Sequence, residues 1–229
     1  FGIPPIGGMG DESIVNFNVP PFLWGEETYT RVGVTSNGYV VIGGGASADV
    51  EFEPQTMPDP ARPNNVIAPW WTDLDLSQAA TSLTGARIEI LEDSVTGEAW
   101  LIIDYEDVAT FGTCTPGPCD VHDFQIWTQL GETEGNHLVY GDVGAGAATG
   151  LNAGAENRDG TSGAELPTIP PPDNSQWTIN TEPPEPGGTV TITYRAVGTK
   201  VGEHDIVAEL TTDITVGTIT DVETITVTP

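Results

Sequence analysis

Hydrophobic and polar residues along this chain alternate with a period of two, and hardly anywhere with the period of a helix. Ile14-Val15-Asn16-Phe17-Asn18-Val19 and Tyr29-Thr30-Arg31-Val32-Gly33-Val34 alternate imperfectly, and Arg87-Ile88-Glu89-Ile90-Leu91 more cleanly. Thr189-Val190-Thr191-Ile192-Thr193-Tyr194 and Glu223-Thr224-Ile225-Thr226-Val227-Thr228 alternate almost without fault. A strand sends successive side chains to opposite faces, so each run predicts a half-buried β-strand. The runs are punctuated by 28 glycines and 19 prolines. Only Ser77-Gln78-Ala79-Ala80 has helical character, and it falls short of the roughly 12–15 residues that an isolated helix needs. The predicted class is all-β and sandwich-like.

One boundary is visible. Leu166-Pro167-Thr168-Ile169-Pro170-Pro171-Pro172-Asp173-Asn174 cannot continue a sheet, because proline donates no ladder hydrogen bond. It reads as a stiff spacer. The expected organisation is an N-terminal extension over 1–12, a larger β domain over 13–166, a proline-rich linker over 167–175 and a smaller β unit over 176–229. In the last of these, Pro183-Pro184-Glu185-Pro186-Gly187-Gly188 precedes the strand at Thr189, and Asp205–Thr211 is a further candidate strand.

Charge narrows the partners. With 34 acidic and 6 basic residues the formal net charge is −28, which repels nucleic acid and anionic membrane surfaces. Cationic partners, divalent cations and neutral glycans stay open. No apolar run is long enough to span a membrane, which argues against membrane insertion. The chain begins at Phe1 rather than Met, as a processed or excised product would.

Cys114-Thr115-Pro116-Gly117-Pro118-Cys119 is a Pro-Gly turn with a thiol at each end. A disulfide there would pin a hairpin tip and fits an oxidising compartment. A zinc site would need a second Cys or His pair at ligand spacing, and a redox motif would need two intervening residues instead of four.

Five segments in a fixed order carry a resemblance. They are Ser36-Asn37-Gly38-Tyr39-Val40-Val41-Ile42-Gly43-Gly44, the Arg62–Leu76 run with Ala68-Pro69-Trp70-Trp71-Thr72-Asp73-Leu74-Asp75, Ala99–Tyr105, Phe124–Leu130 and Gly154-Ala155-Glu156-Asn157-Arg158-Asp159-Gly160. From about Tyr29 to Gly163 the chain resembles the nidogen-like extracellular β domain. More closely, it resembles the non-catalytic C-terminal region of secreted bacterial subtilisin-like proteases. The unit from 176 onward resembles the latter half of immunoglobulin-like repeats of bacterial surface proteins, without their earlier strands. The resemblance implies an extracellular chain, secreted or at the cell surface, with an accessory role.

Candidate chemistry is sparse. Gly160-Thr161-Ser162-Gly163 is similar to the surroundings of a subtilase nucleophile, but Gly163-Ala164-Glu165 replaces the Met-Ala that opens that family's helix. The family's Asp and His motifs have no counterpart, and a serine nucleophile needs an oriented base. His122, His137 and His204 are scattered, the first two at strand starts. The chain is therefore expected not to be an enzyme. Trp70 and Trp71 are adjacent, so a strand sends them to opposite faces: one to the core, the other exposed as a possible ligand platform or covered by a loop. Asp73 and Asp75 are two apart at a strand end and could converge on calcium as an irregular site, aided by Asp104, Glu106 or Asp107. No other cofactor is expected.

Two roles follow. One is a self-assembling surface protein, in which Phe1, Ile3 and Ile6 of the apolar N-terminus fill an open sheet edge of a neighbouring copy. Its partners would be copies of itself or other extracellular proteins. The other is a substrate- or cell-surface-binding accessory module of a secreted subtilisin-like protease.

Overall fold

The alternating runs form antiparallel strands, as their period requires. The computed structural model describes residues 2–78, 83–114, 118–144, 150–179, 200–211 and 218–227. They fall into two units, Phe1–Glu185 and Pro186–Pro229. In the first, sheet A runs in the order β1 (Ile14–Trp24), β2 (Glu27–Thr35), β3 (Val40–Ile42), β4 (Val66–Trp71), β10 (Asn152–Glu156), β11 (Gly163–Glu165). Sheet B begins with β12 (Gln176–Ile179), β9 (Asn136–Tyr140), β8 (Val121–Gln129) and β7 (Ala99–Thr110). The far side of β7 is shared by β5 (Leu74–Asp75) and β6 (Gly85–Glu92). The described residues contain no α-helix, only a 3-10 turn at Ser47–Asp49.

Between the sheets lies the core that the alternation predicts. Sheet A contributes Phe22, Trp24, Val32, Val34, Ile67 and Trp70, and sheet B contributes Leu101, Ile103, Tyr105, Phe124, Ile126 and Leu138. Two tyrosines of sheet B reach across: Tyr105 donates to Thr35 O at 2.9 Å and Tyr140 to Pro69 O at 2.8 Å. Each buried hydroxyl thus has the partner that burial demands. Pro20 and Pro21 interrupt the β1–β2 register between Asn18 and Phe22, as prolines do on an edge strand. There the chain leans onto sheet B, through Gly131 N–H donating to Pro21 O and a Phe22–Leu130 bridge.

The expected boundary at 167–175 is corrected. β12 pairs with β9 from Gln176↔Val139 to Ile179↔Asn136, so these residues belong to the larger unit. The proline-rich run is not a spacer between domains. It carries the chain from the edge of sheet A to the edge of sheet B, tied by Val143 N–H to Asp173 Oδ1, Asn174 N–H to Gly141 O and Tyr140 N–H to Ser175 O. Extended proline-rich chain needs no ladder bonds and suits such a crossing.

In the second unit the described residues form a ribbon of β13 (Gly202–Thr211) and β14 (Thr218–Val227), in register from Gly202↔Val227 to Thr211↔Thr218. A two-stranded ribbon does not define an immunoglobulin-like repeat, and the strand expected at Thr189–Tyr194 lies outside the described residues.

Candidate functional site

The loop residues that carry chemistry are placed by a tight turn. Ser36-Asn37-Gly38 joins β2 to β3, and Gly38 takes φ 75° with the position of a Cβ only 2.0 Å from Trp70 O, so only glycine fits. Asn37 is fully buried beside it. Its Oδ1 accepts Leu74 N–H at 3.2 Å and its Nδ2 donates to Glu12 Oε2 at 3.1 Å. Ser13 and Ser36 exchange two bonds, Ser13 N–H to Ser36 Oγ and Ser36 N–H to Ser13 O. The segment before β1 and the β4–β5 connection are thereby drawn to one place.

The result is a cluster of carboxylates. Oxygens of Asp11, Glu12 and Asp73 lie within 4.8 Å of one another. Asp73 Oδ1 is buried and has no hydrogen-bond partner. Burial, then the Asp11 and Asp75 charges, push the Asp73 carboxyl up. Burial pushes Glu12 up against the Asn37 bond that lowers it, with Asp11, Asp73 and Glu51 adding to the rise. Hard oxygen donors crowded at this distance are the donor set that calcium takes.

Asp75 does not join them. Its carboxylate accepts Ser77 N–H and Oγ–H and Gln78 Nε2–H. It stays below the usual range because these bonds outweigh its burial. Asp104 and Glu106 pair instead with Arg87, at 3.7 and 3.1 Å, and Asp107 N–H donates to Asp123 Oδ1. The cluster contains Asp73, and its neighbours there are Asp11 and Glu12, not Asp75, Asp104, Glu106 or Asp107. Asp11 and Glu12 lie some sixty residues away in the chain, and no local spacing marks them.

The N-terminal segment is also corrected. Ile6 N–H donates to Ala86 O at 2.8 Å, Arg87 Nε–H donates to Ile3 O at 3.0 Å, and the Ile6 side chain packs on the core. The segment caps the free side of β6 in its own chain, so Ile3 and Ile6 are already in use; Phe1 lies outside the described residues. Cys114 and Cys119 are disulfide-bonded, between β7 and β8.

Trp70 and Trp71 do take opposite faces, yet neither is a platform, being 1% and 0% exposed. Trp70 lies in the core between the sheets. Trp71 joins Tyr39, Val41, Met57, Val66 and Ala68 in a second cluster on the outer face of sheet A. The 43–65 loop covers it, with Trp71 Nε1–H donating to Glu51 O, Tyr39 hydroxyl to Asp49 O and Met57 N–H to Glu165 Oε1.

Ser162 sits in a polar turn, its N–H on Asn157 Oδ1 and its carbonyl accepting Asn157 N–H. Both histidine rings described are engaged elsewhere. His122 is fully buried against Trp70. Its Nδ1–H donates to Val143 O at 2.6 Å, which leaves Nε2 to accept from Thr110. Burial lowers its pKa.

The exposed aromatic site is on the outer face of sheet B, where no sequence reading put one. Leu101, Ile103, Phe124 and Ile126 face the core, so Trp100, Asp104, Gln125 and Trp127 face outward. Trp127 stands opposite Ile102 on one side and His137 on the other, and Thr178 stands opposite His137. Trp100 lies 6.3 Å from Trp127, with their planes at 59°, and 5.4 Å from His137. With Val139 and Gln176 they line a cleft of about 330 Å³. The alternation in Phe124–Gln129 held the signal, but neighbouring strands had to be aligned before the two tryptophans met.

Two packed antiparallel sheets define a β-sandwich. The chain belongs to the NIDO-related family, whose model matches residues 8–194. No curated protein and no solved structure matches it. Family and disulfide together suggest an extracellular protein. No helix among the described residues is long and apolar enough to cross a membrane.

Proposed function

We propose that the chain is a non-catalytic recognition module, secreted or displayed at a cell surface, that holds a larger assembly on its target through the outer face of sheet B. The observation that carries this reading is the cleft between Trp100, Trp127 and His137, where two indoles stay half-exposed in a chain that fully buries Trp70 and Trp71. The polar groups elsewhere support it, because His122, Asp75 and Arg87 are engaged in bonds that hold the fold. Attachment to a secreted subtilisin-like protease is one setting for such a module. We further propose that calcium binds Asp11, Glu12 and Asp73, where its charge would offset their repulsion and brace the start of β1 against the β4–β5 turn.

Self-assembly by strand donation has less support, because Ile3 and Ile6 already lie on β6 of the same chain. Two measurements test the reading on purified protein. Assays with peptide, ester and glycoside substrates should show no turnover above buffer, and negative-stain microscopy should show single particles. Hydrolysis abolished by Ser162→Ala, or filaments that vanish when residues 1–10 are deleted, would replace it with an enzymatic or an assembly role.

A further inference from the structure

The outer face of sheet B fixes one indole through a chain of side-chain bonds. Trp127 Nε1–H donates to Gln125 Oε1 at 2.8 Å, and Gln125 Nε2–H donates to Asp104 Oδ1 at 2.9 Å. Asp104 Oδ2 lies 3.7 Å from Arg87, whose Nε–H holds Ile3 O at 3.0 Å. The strand register builds this chain, since Arg87 stands opposite Asp104 and Asp104 opposite Gln125, with Trp127 two residues further along β8. A surface tryptophan has no need of such support for packing. Fixing its orientation before contact lowers the entropy lost when a ligand lands on it.

Building on the recognition role proposed above, we propose that this cleft binds a neutral sugar residue, a hexose or N-acetylhexosamine at a chain end or branch. Its chemistry points that way in three respects. Indole faces offer flat apolar surface to the C–H face of a pyranose, while a hydroxyl needs a donor and an acceptor side by side. Gln176, which lines the cleft, carries both on one amide, and Gln125, opposite Val139 on the same face, holds the Trp127 indole in place. The His137 ring of the cleft is held in turn by the Thr178 hydroxyl, bonded to His137 Nδ1 at 3.1 Å.

Charge excludes the acidic sugars. The cation of this face, Arg87, is 3% exposed and neutralised by Asp104 and Glu106, so it cannot reach a sulfate or carboxylate. The chain as a whole, at −28, repels them. Shape selects the form of the sugar. Rings inclined at 59° make a notch for one residue, not a flat track for a long polymer. A volume of about 330 Å³ is at the small end of the ~300–1,000 Å³ typical of ligand pockets. A proline-rich peptide would also lie on indoles, but its rings present no donor for the Gln176 carbonyl. A quaternary ammonium would use the indole faces alone and leave the Gln176 amide without a partner.

The test is an array printed with neutral hexose and N-acetylhexosamine glycans, sialylated and sulfated glycans, choline and a polyproline peptide. The best neutral glycan is then titrated by calorimetry into the full chain. The proposal expects signal on neutral glycans and none on anionic ones. It expects at least a tenfold loss of affinity in Trp100→Ala and Trp127→Ala, and a smaller loss in Trp127→Phe, which keeps the ring without its N–H. Gln125→Ala should weaken binding severalfold, and Phe52→Ala, in the 43–65 loop on the outer side of sheet A, should bind like the parent. Melting curves of the variants show that they remain folded, and Trp127→Phe keeps the test valid if an alanine variant does not. An array with no neutral glycan above blank overturns the proposal, as does affinity unchanged within twofold in both alanine variants. Tryptophan-dependent capture of choline or polyproline alone overturns the sugar but leaves the recognition role standing. Binding that neither tryptophan affects removes both.

Discussion

The two outer faces of the sandwich follow the same alternation and end differently. On sheet A the outward residues Tyr39, Val41 and Trp71 lie under the 43–65 loop and are at most 5% exposed. On sheet B the outward residues Trp100, Trp127 and His137 are only half-buried, while Ile102, Asp104 and Arg87 of the same face are buried. The difference lies in what bonds the covering segment. The 43–65 loop is fastened by side chains of sheet A: Glu165 accepts Met57 N–H, Glu156 accepts Asp59 N–H at 2.9 Å, and Asn152 Nδ2–H donates to Gln55 O at 2.6 Å. A long loop packs down only when its backbone groups find partners. Gly160 makes one such approach, at φ 63° with a Cβ position 2.0 Å from Asp59 O. Sheet B offers Gln125 and Asp104, which bond each other, and Arg87, which pairs with Asp104 and holds only the Ile3 carbonyl of the N-terminal segment. The same alternation therefore yields a second core on one side and a reactive surface on the other.

The sharpest way to break this comparison is to remove one indole from each face. Trp71→Ala deletes a fully buried ring and should cost about 3–5 kcal/mol. Trp127→Ala, on the open face, should cost about 1–2 kcal/mol for a half-buried side chain. Denaturant unfolding of the two variants measures this directly, and equal losses would mean that the two faces are equally sealed.

Glu156, which fastens the loop, titrates where it can be followed. Burial lifts its carboxyl to about 7, with the Asp59 bond opposing and the Asp59 charge assisting. A carboxyl raised in the folded state makes the fold more stable in acid, and that stability falls as pH rises from the ordinary value near about 4.3 through about 7. The drop attributable to this group is about 3 kcal/mol at most. Glu12, Asp73, Asp104 and Asp123 are shifted up as well and act in the same sense. Glu156→Gln keeps an acceptor for Asp59 and should flatten the decline between pH 5 and pH 8. Identical pH profiles for the two proteins would show that the loop is fastened by other means.

Calcium should act at the Asp11, Glu12 and Asp73 cluster beside the sealed face. At a hundredfold excess over its dissociation constant, a ligand of the folded state adds about 2.7 kcal/mol. Melting temperature should rise with calcium and fall with EDTA, and Asp73→Asn should abolish the difference while Asp75→Asn leaves it. A melting curve unmoved by calcium would mark the cluster as simply solvated. The smallest effect should come from the disulfide, which closes a short loop beside sheet B and is worth about 2 kcal/mol at most. Reduction should lower the unfolding midpoint slightly without altering tryptophan fluorescence in the native state.

How much was legible follows from the range of each signal. Period-two runs at Ile14–Val19, Tyr29–Val34 and Arg87–Leu91 identified strands, because alternation is written within a few residues. For the same reason Trp70 and Trp71 were read as facing opposite ways, and Cys114 and Cys119 as a pair. The smaller unit's ribbon was anticipated at Asp205–Thr211 and Glu223–Thr228. The proline run over 167–172 was misread, since local composition shows that it cannot pair but not where the chain goes afterwards. Of the three carboxylates that cluster, only Asp73 was among those singled out in the sequence.

Sequence by itself determined the class of fold, the strand faces, the net charge and the family. Tertiary structure alone decided which outward face a loop covers, which carboxylates meet, and that two tryptophans 27 positions apart share one cleft. The physical reason is that alternation assigns a residue to a side of its own strand. Register and strand order across the sheet then decide its neighbours, and those depend on hydrogen bonds between segments far apart in the chain.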